Sequence, residues 1–268
     1  YIHQTSDQRL DMDAYVRLLR REPKLVAVTH VSNGVGTIND VATIIRLAHE
    51  AGALVLIDGA QSVPHLPVDV QALDCDFLAF SGHKMLGPMG SGVLYGKRAL
   101  LEAMPPFMGG GGMIRKVTLS GSTYADVPAR FEAGTPAVGE AIGLGVAVDY
   151  LMGLGMHQVR EHERDLIAYA LARLPEVPGI TLYGPEDPNL RSGLVAFTLG
   201  DVHAHDVAAI LDSENIAVRA GHHCNQPLMQ HLGIAATTRA SFYVYNTRED
   251  VDRLVAGLHK VNRIFGLA

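Results

Sequence analysis

The sequence predicts an α/β protein, with a mostly parallel sheet in its first half followed by a smaller α+β region. Three observations predict this. Short runs of Val, Ile, Leu and Ala recur at 25–30, 53–58, 76–80 and 92–95; the stretch between the first two has helical spacing; and beyond about residue 150 strands and helices alternate differently. Continuous apolar runs separated by helices suit buried parallel strands, so the sheet is expected to be covered on both faces.

Taken in order, Leu25–His30 (LVAVTH) reads as the first strand. Val41, Ile44, Ile45 and Leu47/Ala48 share one helical face within 38–50, and Gly52 ends that helix. Ala53–Asp58 (ALVLID), Asp76–Phe80 and Gly92–Tyr95 follow as strands. Between Pro105 and Pro136 the pattern breaks down around Gly109–Gly112, and a long functional loop is expected. It is not a P-loop, because Met-Ile-Arg follows where Gly-Lys-Ser/Thr is required. Val138 to about Leu174 is helical, with a break near Gly153–Gly155. Next come strand Gly193–Leu199, helix Ala204–Ser213 with His203 and His205 at its start, and strand Ile216–Arg219. A loop, strand Arg239–Tyr243 and a helix from Arg248 to Ile264 complete the pattern. We place a domain boundary near residue 150, giving a large domain (1–150) and a small C-terminal one (151–268).

With 48% hydrophobic and 19% charged residues, the 268-residue chain has the balance of a globular protein. Its net charge is −6 and its Lys and Arg are scattered, which argues against nucleic acid as a partner. No apolar run approaches the ~20 residues needed to span a bilayer, and no basic n-region precedes an apolar stretch at the start. Two cysteines, Cys75 and Cys224, are too few for a disulfide framework and suit a reducing compartment, so a cytoplasmic protein is expected. The chain opens at Tyr1 and soon enters a strand, which reads as a piece of a longer protein.

Four positions invite a chemical reading. Asp58 ends an apolar strand, where ligands bind in open α/β sheets; the plainer role is a turn aspartate. Lys84, in Phe80-Ser81-Gly82-His83-Lys84, also follows a strand and is flanked by Gly82, Gly87 and Gly90. Seen alone it is as readily a surface lysine; paired with Asp58 it suits a Schiff-base lysine, and pyridoxal phosphate is the cofactor whose ring nitrogen needs such an acid. Cys224 lies in an irregular polar turn, where Arg219 and the histidines 222 and 223 are expected to favour its thiolate. A zinc site is the rival reading, without a second ligand pair at the required spacing; no metal is expected. Arg239 is either a surface arginine or a bidentate clamp on a substrate carboxylate.

These residues also carry a resemblance. Asn33-Gly34-Val35-Gly36-Thr37, Asp58-Gly59-Ala60-Gln61 and Ser81-Gly82-His83-Lys84 resemble the class V aminotransferase-fold enzymes, which are pyridoxal-phosphate enzymes of fold type I. Phe131-Glu132-Ala133-Gly134-Thr135-Pro136 and Arg219-Ala220-Gly221-His222-His223-Cys224 narrow it to the group II cysteine desulfurases and selenocysteine lyases. The resemblance implies that Lys84 bonds the cofactor, Asp58 pairs with its ring nitrogen and Gln61 with its ring hydroxyl. Ser81 and His83 would contact its phosphate, with His83 also among the catalytic groups, and Thr135 would reach the phosphate of the neighbouring subunit of a homodimer. Asn33 and Arg239, with Arg219, would bind the substrate, and Cys224 would take the sulfur. The implied activity converts L-cysteine, or L-selenocysteine, to L-alanine and hands sulfur to an acceptor protein for iron–sulfur cluster assembly. Selenocysteine lyase, another enzyme of the same fold, or an inactive fragment are the alternatives. Family members carry a long stretch ahead of the position matching Tyr1, so the resemblance implies an N-terminally truncated chain with an incomplete site and an exposed sheet face.

Overall fold

In the computed structural model, which describes residues 1–267, the early apolar runs build one sheet and the late ones another. Helix α1 (Met12–Leu19) lies where the sequence suggested no element. Asp11 caps it by accepting the Ala14 N–H, and Tyr15 and Leu19 are buried against the first sheet. Strand β1 (Leu25–Thr29), helix α2 (Val41–Glu50), strand β2 (Leu54–Asp58), helix α3 (Val70–Leu73) and strands β3 (Phe77–Ser81) and β4 (Gly92–Gly96) follow. Asp40 accepts the Thr43 N–H, which explains why α2 starts three residues later than its apolar face suggested. The sheet order is β1-β2-β3-β4; the first three strands are parallel and β4 runs antiparallel to β3.

The expectation that this sheet is covered on both faces is corrected along β1 and β2, while Phe77 and Leu78 bury both faces of β3. Val26, Val28, Val55, Ile57 and Leu78 pack with Tyr15, Ile44 and Ile45 into one core. On the opposite face Leu25 is 49% and Leu54 37% exposed, so β1 and β2 alternate as half-buried strands do. That open face agrees with the exposed sheet face the resemblance implied.

After helix α4 (Arg98–Ala103), the expected irregular loop contains a hairpin, β5 (Ile114–Thr118) and β6 (Gly121–Tyr124). Every residue of both strands is exposed, so no inside-outside alternation marked them in the sequence. Helices α5 (Val138–Leu154) and α6 (Met156–Arg173) meet at Gly155, whose φ of +85° breaks the helix at the expected place.

The second sheet is assembled from β7 (Ile180–Tyr183), β8 (Leu194–Leu199), β9 (Arg219–Gly221) and β10 (Thr237–Ser241), in the antiparallel order β7-β8-β10-β9. Helices α7 (Ala204–Ser213), α8 (Gln226–Leu232) and α9 (Arg248–Phe265) complete this half. His203 caps α7 by accepting the His205 N–H. Ile216 is hydrogen-bonded back to Leu211 at the end of α7, which is why β9 begins at Arg219 rather than Ile216. Ile167, Phe197, Leu211, Val251 and Leu258 form this half's core. No single helix among the described residues is long and apolar enough to cross a membrane.

Two contacts lock the turn after β2 onto the second half. Glu163 on α6 receives His65 Nδ1 at 2.7 Å, and the Tyr243 hydroxyl donates to the Pro64 carbonyl at 3.0 Å. The Glu163 carboxylate is fully buried, and burial pushes its pKa up against the opposing pull of His65.

Candidate active site

Parallel strands end on a common edge, and that edge gathers most of the expected groups. Thr29 lies beside Asp58 and Asp58 beside Ala79 in the sheet register. The segments that follow β1, β2 and β3 therefore leave the sheet together, where ligands collect in open α/β sheets.

Asp58 is exposed on the open face, in the same alternation as Leu54 and Leu56. Its Oδ1 accepts the Ala60 N–H at 2.9 Å, so the turn role is real, and the second oxygen is left for another donor. Gln61 is half-buried on the same turn. His30 lies alongside: its N–H donates to the Asp58 carbonyl at 3.0 Å, and burial lowers its imidazole pKa to about 4.

Lys84 closes a single 3-10 turn, Gly82–Lys84, directly after β3. Gly82 donates to the Ser91 carbonyl, and its own carbonyl accepts from Met85 at 2.9 Å and Gly87 at 3.0 Å. A Cβ on Gly87 would lie 2.9 Å from the Gly82 oxygen, so glycine is required there by close backbone approach. The half-buried lysine thus sits on a fixed support, with Ser81 half-buried and His83 exposed beside it.

The loop after β1 reaches the second half of the chain. The Asn33 side-chain amide donates to the His223 carbonyl, and Arg239 Nη1 donates to the Asn33 backbone carbonyl at 2.7 Å. Arg219 and Arg239 are partners across the β9–β10 ladder. Burial, then the charge of Arg219, lowers the Arg239 pKa, while nearby Cys224 opposes that shift. Arg239 Nε is buried without a hydrogen-bond partner, and an unpaired guanidinium nitrogen beside an amide suits a carboxylate ligand. Cys224 is exposed at the rim of this cluster, whereas Cys75 is buried in the first core.

One expectation is modified. His223 is buried with its Nε2 on the Thr237 carbonyl and hydroxyl, and its pKa is lowered to about 4. It is therefore neutral, and the positive charge expected beside Cys224 is left to Arg219 and Arg239. Among the described residues no group of three His, Cys, Asp or Glu converges as metal ligands. Thr135 is exposed on a segment tied to the glycine run by the Gly134 N–H to Gly111 carbonyl bond. His30 and His223 were missed as organising residues. Their burial comes from tertiary packing, and the only sequence signal was the position of each beside a strand end or the cysteine.

A lysine on a rigid turn and a strand-end carboxylate on one sheet edge define a fold-type-I arrangement suited to a carbonyl-bearing heteroaromatic cofactor. The chain belongs to the class-V aminotransferase family, whose model (Aminotransferase class-V) matches residues 1–254. Among curated proteins it is similar to a cysteine desulfurase of Dickeya dadantii, with 56% identity over 98% of this chain and 63% of that relative. The chain thus spans less than two thirds of that relative's length. Among solved structures it resembles the apo cysteine desulfurase of Thermococcus onnurineus, at 40% identity and a TM-score of 0.94 over 98% of this chain and 66% of that one. It also resembles the S-sulfonic acid form of the cysteine desulfurase CsdA of Escherichia coli, at 41% identity and a TM-score of 0.92 over 97% and 64%.

Proposed function

We propose that this chain carries the chemistry of a pyridoxal-phosphate-dependent cysteine desulfurase, converting L-cysteine to L-alanine and leaving the sulfur as a persulfide on Cys224. The observation that carries the reading is the joining of Arg239, Asn33 and the Cys224 loop through hydrogen bonds, beside the edge that bears Lys84 and Asp58.

Lys84 would hold the cofactor, Asp58 its ring nitrogen, Gln61 its ring hydroxyl, and Ser81 and His83 its phosphate. When bound, pyridoxal phosphate supplies an electron sink for a carbanion at the substrate Cα. Asp58 would favour a protonated ring nitrogen, and Lys84 Nζ would take the Cα proton and give it back before alanine leaves. The unpaired Arg239 Nε and the Asn33 amide orient the substrate carboxylate, with Arg219 across the ladder adding positive charge. Cys224 Sγ, as thiolate, attacks the substrate sulfur. The S–S bond forms, the Cβ–S bond breaks, its electron pair stays on carbon and is protonated, and alanine leaves. Cysteine plus a thiol gives alanine plus a persulfide, so no outside oxidant is needed. The persulfide then passes to an acceptor protein, in a cytoplasmic route to iron–sulfur clusters.

The apolar stripe along α5 supports a homodimer. Val138, Ile142, Val146, Tyr150 and Leu154 recur every four residues and are all exposed. Thr135, exposed beside this helix's start, would then reach the neighbouring subunit's phosphate site. We assign residues 1–150 to the cofactor-binding domain and 151–268 to the small domain carrying the cysteine.

The reading is tested with Cys224→Ser and Lys84→Ala in the full-length protein. Cys224→Ser should keep bound, visibly absorbing cofactor and lose alanine production from cysteine; Lys84→Ala should lose both the absorbance of the lysine-bound cofactor and the activity. Parental turnover by Cys224→Ser would overturn the assignment. Comparing L-cysteine with L-selenocysteine separates this activity from a selenocysteine lyase.

A further inference from the structure

His223 has no part in the chemistry just described, yet its surroundings are the most constrained of the cysteine loop. Its side chain is buried, the residue being only 3% exposed, immediately before an exposed Cys224. Its Nε2 lies 3.1 Å from the Thr237 carbonyl oxygen and 2.9 Å from the Thr237 hydroxyl; a proton on Nε2 suits the carbonyl, which can only accept. Thr237 is itself fully buried on β10. The main chain of His223 is held separately: its carbonyl accepts the Asn33 amide, and Asn33 is in turn hooked by Arg239.

These holds act against backbone strain. His223 and Cys224 adopt φ of +51° and +59°, two consecutive non-glycine residues in the left-handed region. A side chain with a Cβ is disfavoured in that region, so the pair persists only where surrounding contacts over-determine it. The turn is closed behind them by the Asn225 N–H to His222 carbonyl bond of 2.8 Å.

We propose that His223 is a positioning residue for Cys224: its buried ring, pegged to Thr237, forces the left-handed pair that turns the neighbouring thiol outward beside Arg239. The importance of that thiol rests on the desulfurase reading, but the peg is measurable without it.

The experiment is hydrogen exchange on the full-length holoenzyme, read in peptides covering 219–226 and, as an internal control, β1–β3. The variants are His223→Ala, His223→Gln, which keeps a donor near the Nε2 position, and Thr237→Val, which removes the hydroxyl from the other side. His223→Ala should speed exchange in 219–226 by roughly tenfold or more with the control unchanged, and His223→Gln should recover most of the protection. Thr237→Val, a near-isosteric change, covers the case in which His223→Ala does not fold, and it too should speed exchange in 219–226 alone. In parallel, His223→Ala should lower the rate of Cys224 persulfide formation at saturating cysteine with KM unchanged. Parental exchange in 219–226, equal effects of Ala and Gln, or acceleration spread equally over the control would each overturn the proposal. If the parent forms no persulfide, the desulfurase reading fails, while the exchange result still decides the role of His223.

Discussion

Glu163 Oε1 lies 2.7 Å from His65 Nδ1, and this pair fastens the turn that leads away from Asp58 onto helix α6. The other carboxylate oxygen is buried without a partner. Burial raises the Glu163 pKa above its ordinary 4.5, so the folded state binds a proton that the unfolded chain has released. The stability tied to that proton is present at low pH and lost as pH rises from 4.5 through the raised value. Glu163→Gln keeps an oxygen acceptor for His65 and removes the titration. Denaturant unfolding at several pH values should therefore show the parent losing stability with rising pH relative to Glu163→Gln. Equal pH slopes for the two proteins would refute the assignment. Glu163→Ala, which leaves His65 unpaired over a cavity, should cost about 3 kcal/mol or more.

His30 and His223 work in the opposite direction. Both are buried and neutral, with pKa values lowered from 6.5 to about 4. Their contribution is complete above pH 6.5 and lost as pH falls toward 4, up to about 3 kcal/mol for each at the full drop. His30→Gln should flatten the acid limb of the stability curve without changing its course above pH 7, as measured by chemical denaturation. An acid limb as steep as the parent's would rule out His30 as a contributor.

The support under Lys84 yields a third expectation. In Gly87→Ala the new methyl meets the Gly82 carbonyl oxygen at 2.9 Å and Leu144 Cδ1 at 3.2 Å, so the turn must shift. A loss of roughly 1–3 kcal/mol is expected, accompanied by a lower yield of borohydride-trapped cofactor on Lys84. Parental stability and parental trapping would show that the turn is not the fixed support described.

How far this site could be read from sequence depends on how local each feature is. Asp58 and Lys84 were legible because each follows an apolar run, and β2 and β3 place both on the same sheet edge. Asn33 is tied to the cysteine loop by its bond to His223 and to β10 by Arg239, contacts between distant stretches that no local pattern encodes. Likewise α1 was missed because eight residues make too short a periodic signal, and β5–β6 because both its faces are exposed. The open face of the first sheet was hidden for a related reason. Leu25 and Leu54 look like core residues in the sequence, and only the packing shows which side α1 and α2 cover.

The stripe on α5 bears on assembly. Ile142 and Val146 are each 66% exposed and lie one helical turn apart. Ile142→Asp with Val146→Asp places two charges in the proposed dimer contact. Sedimentation of the full-length protein should move from dimer to monomer, while the unfolding midpoint measured at low concentration changes little. A parent that sediments as a monomer, or a double variant that remains dimeric, would contradict the contact.

The transfer of sulfur to Cys224 is tested most directly by mass spectrometry of the full-length holoenzyme after a single exposure to L-cysteine, without reductant or acceptor. The peptide bearing Cys224 should gain the mass of one sulfur atom in step with one equivalent of alanine, and the Cys75 peptide should remain unchanged. Alanine appearing without sulfur on Cys224, or sulfur on Cys75 instead, would contradict it.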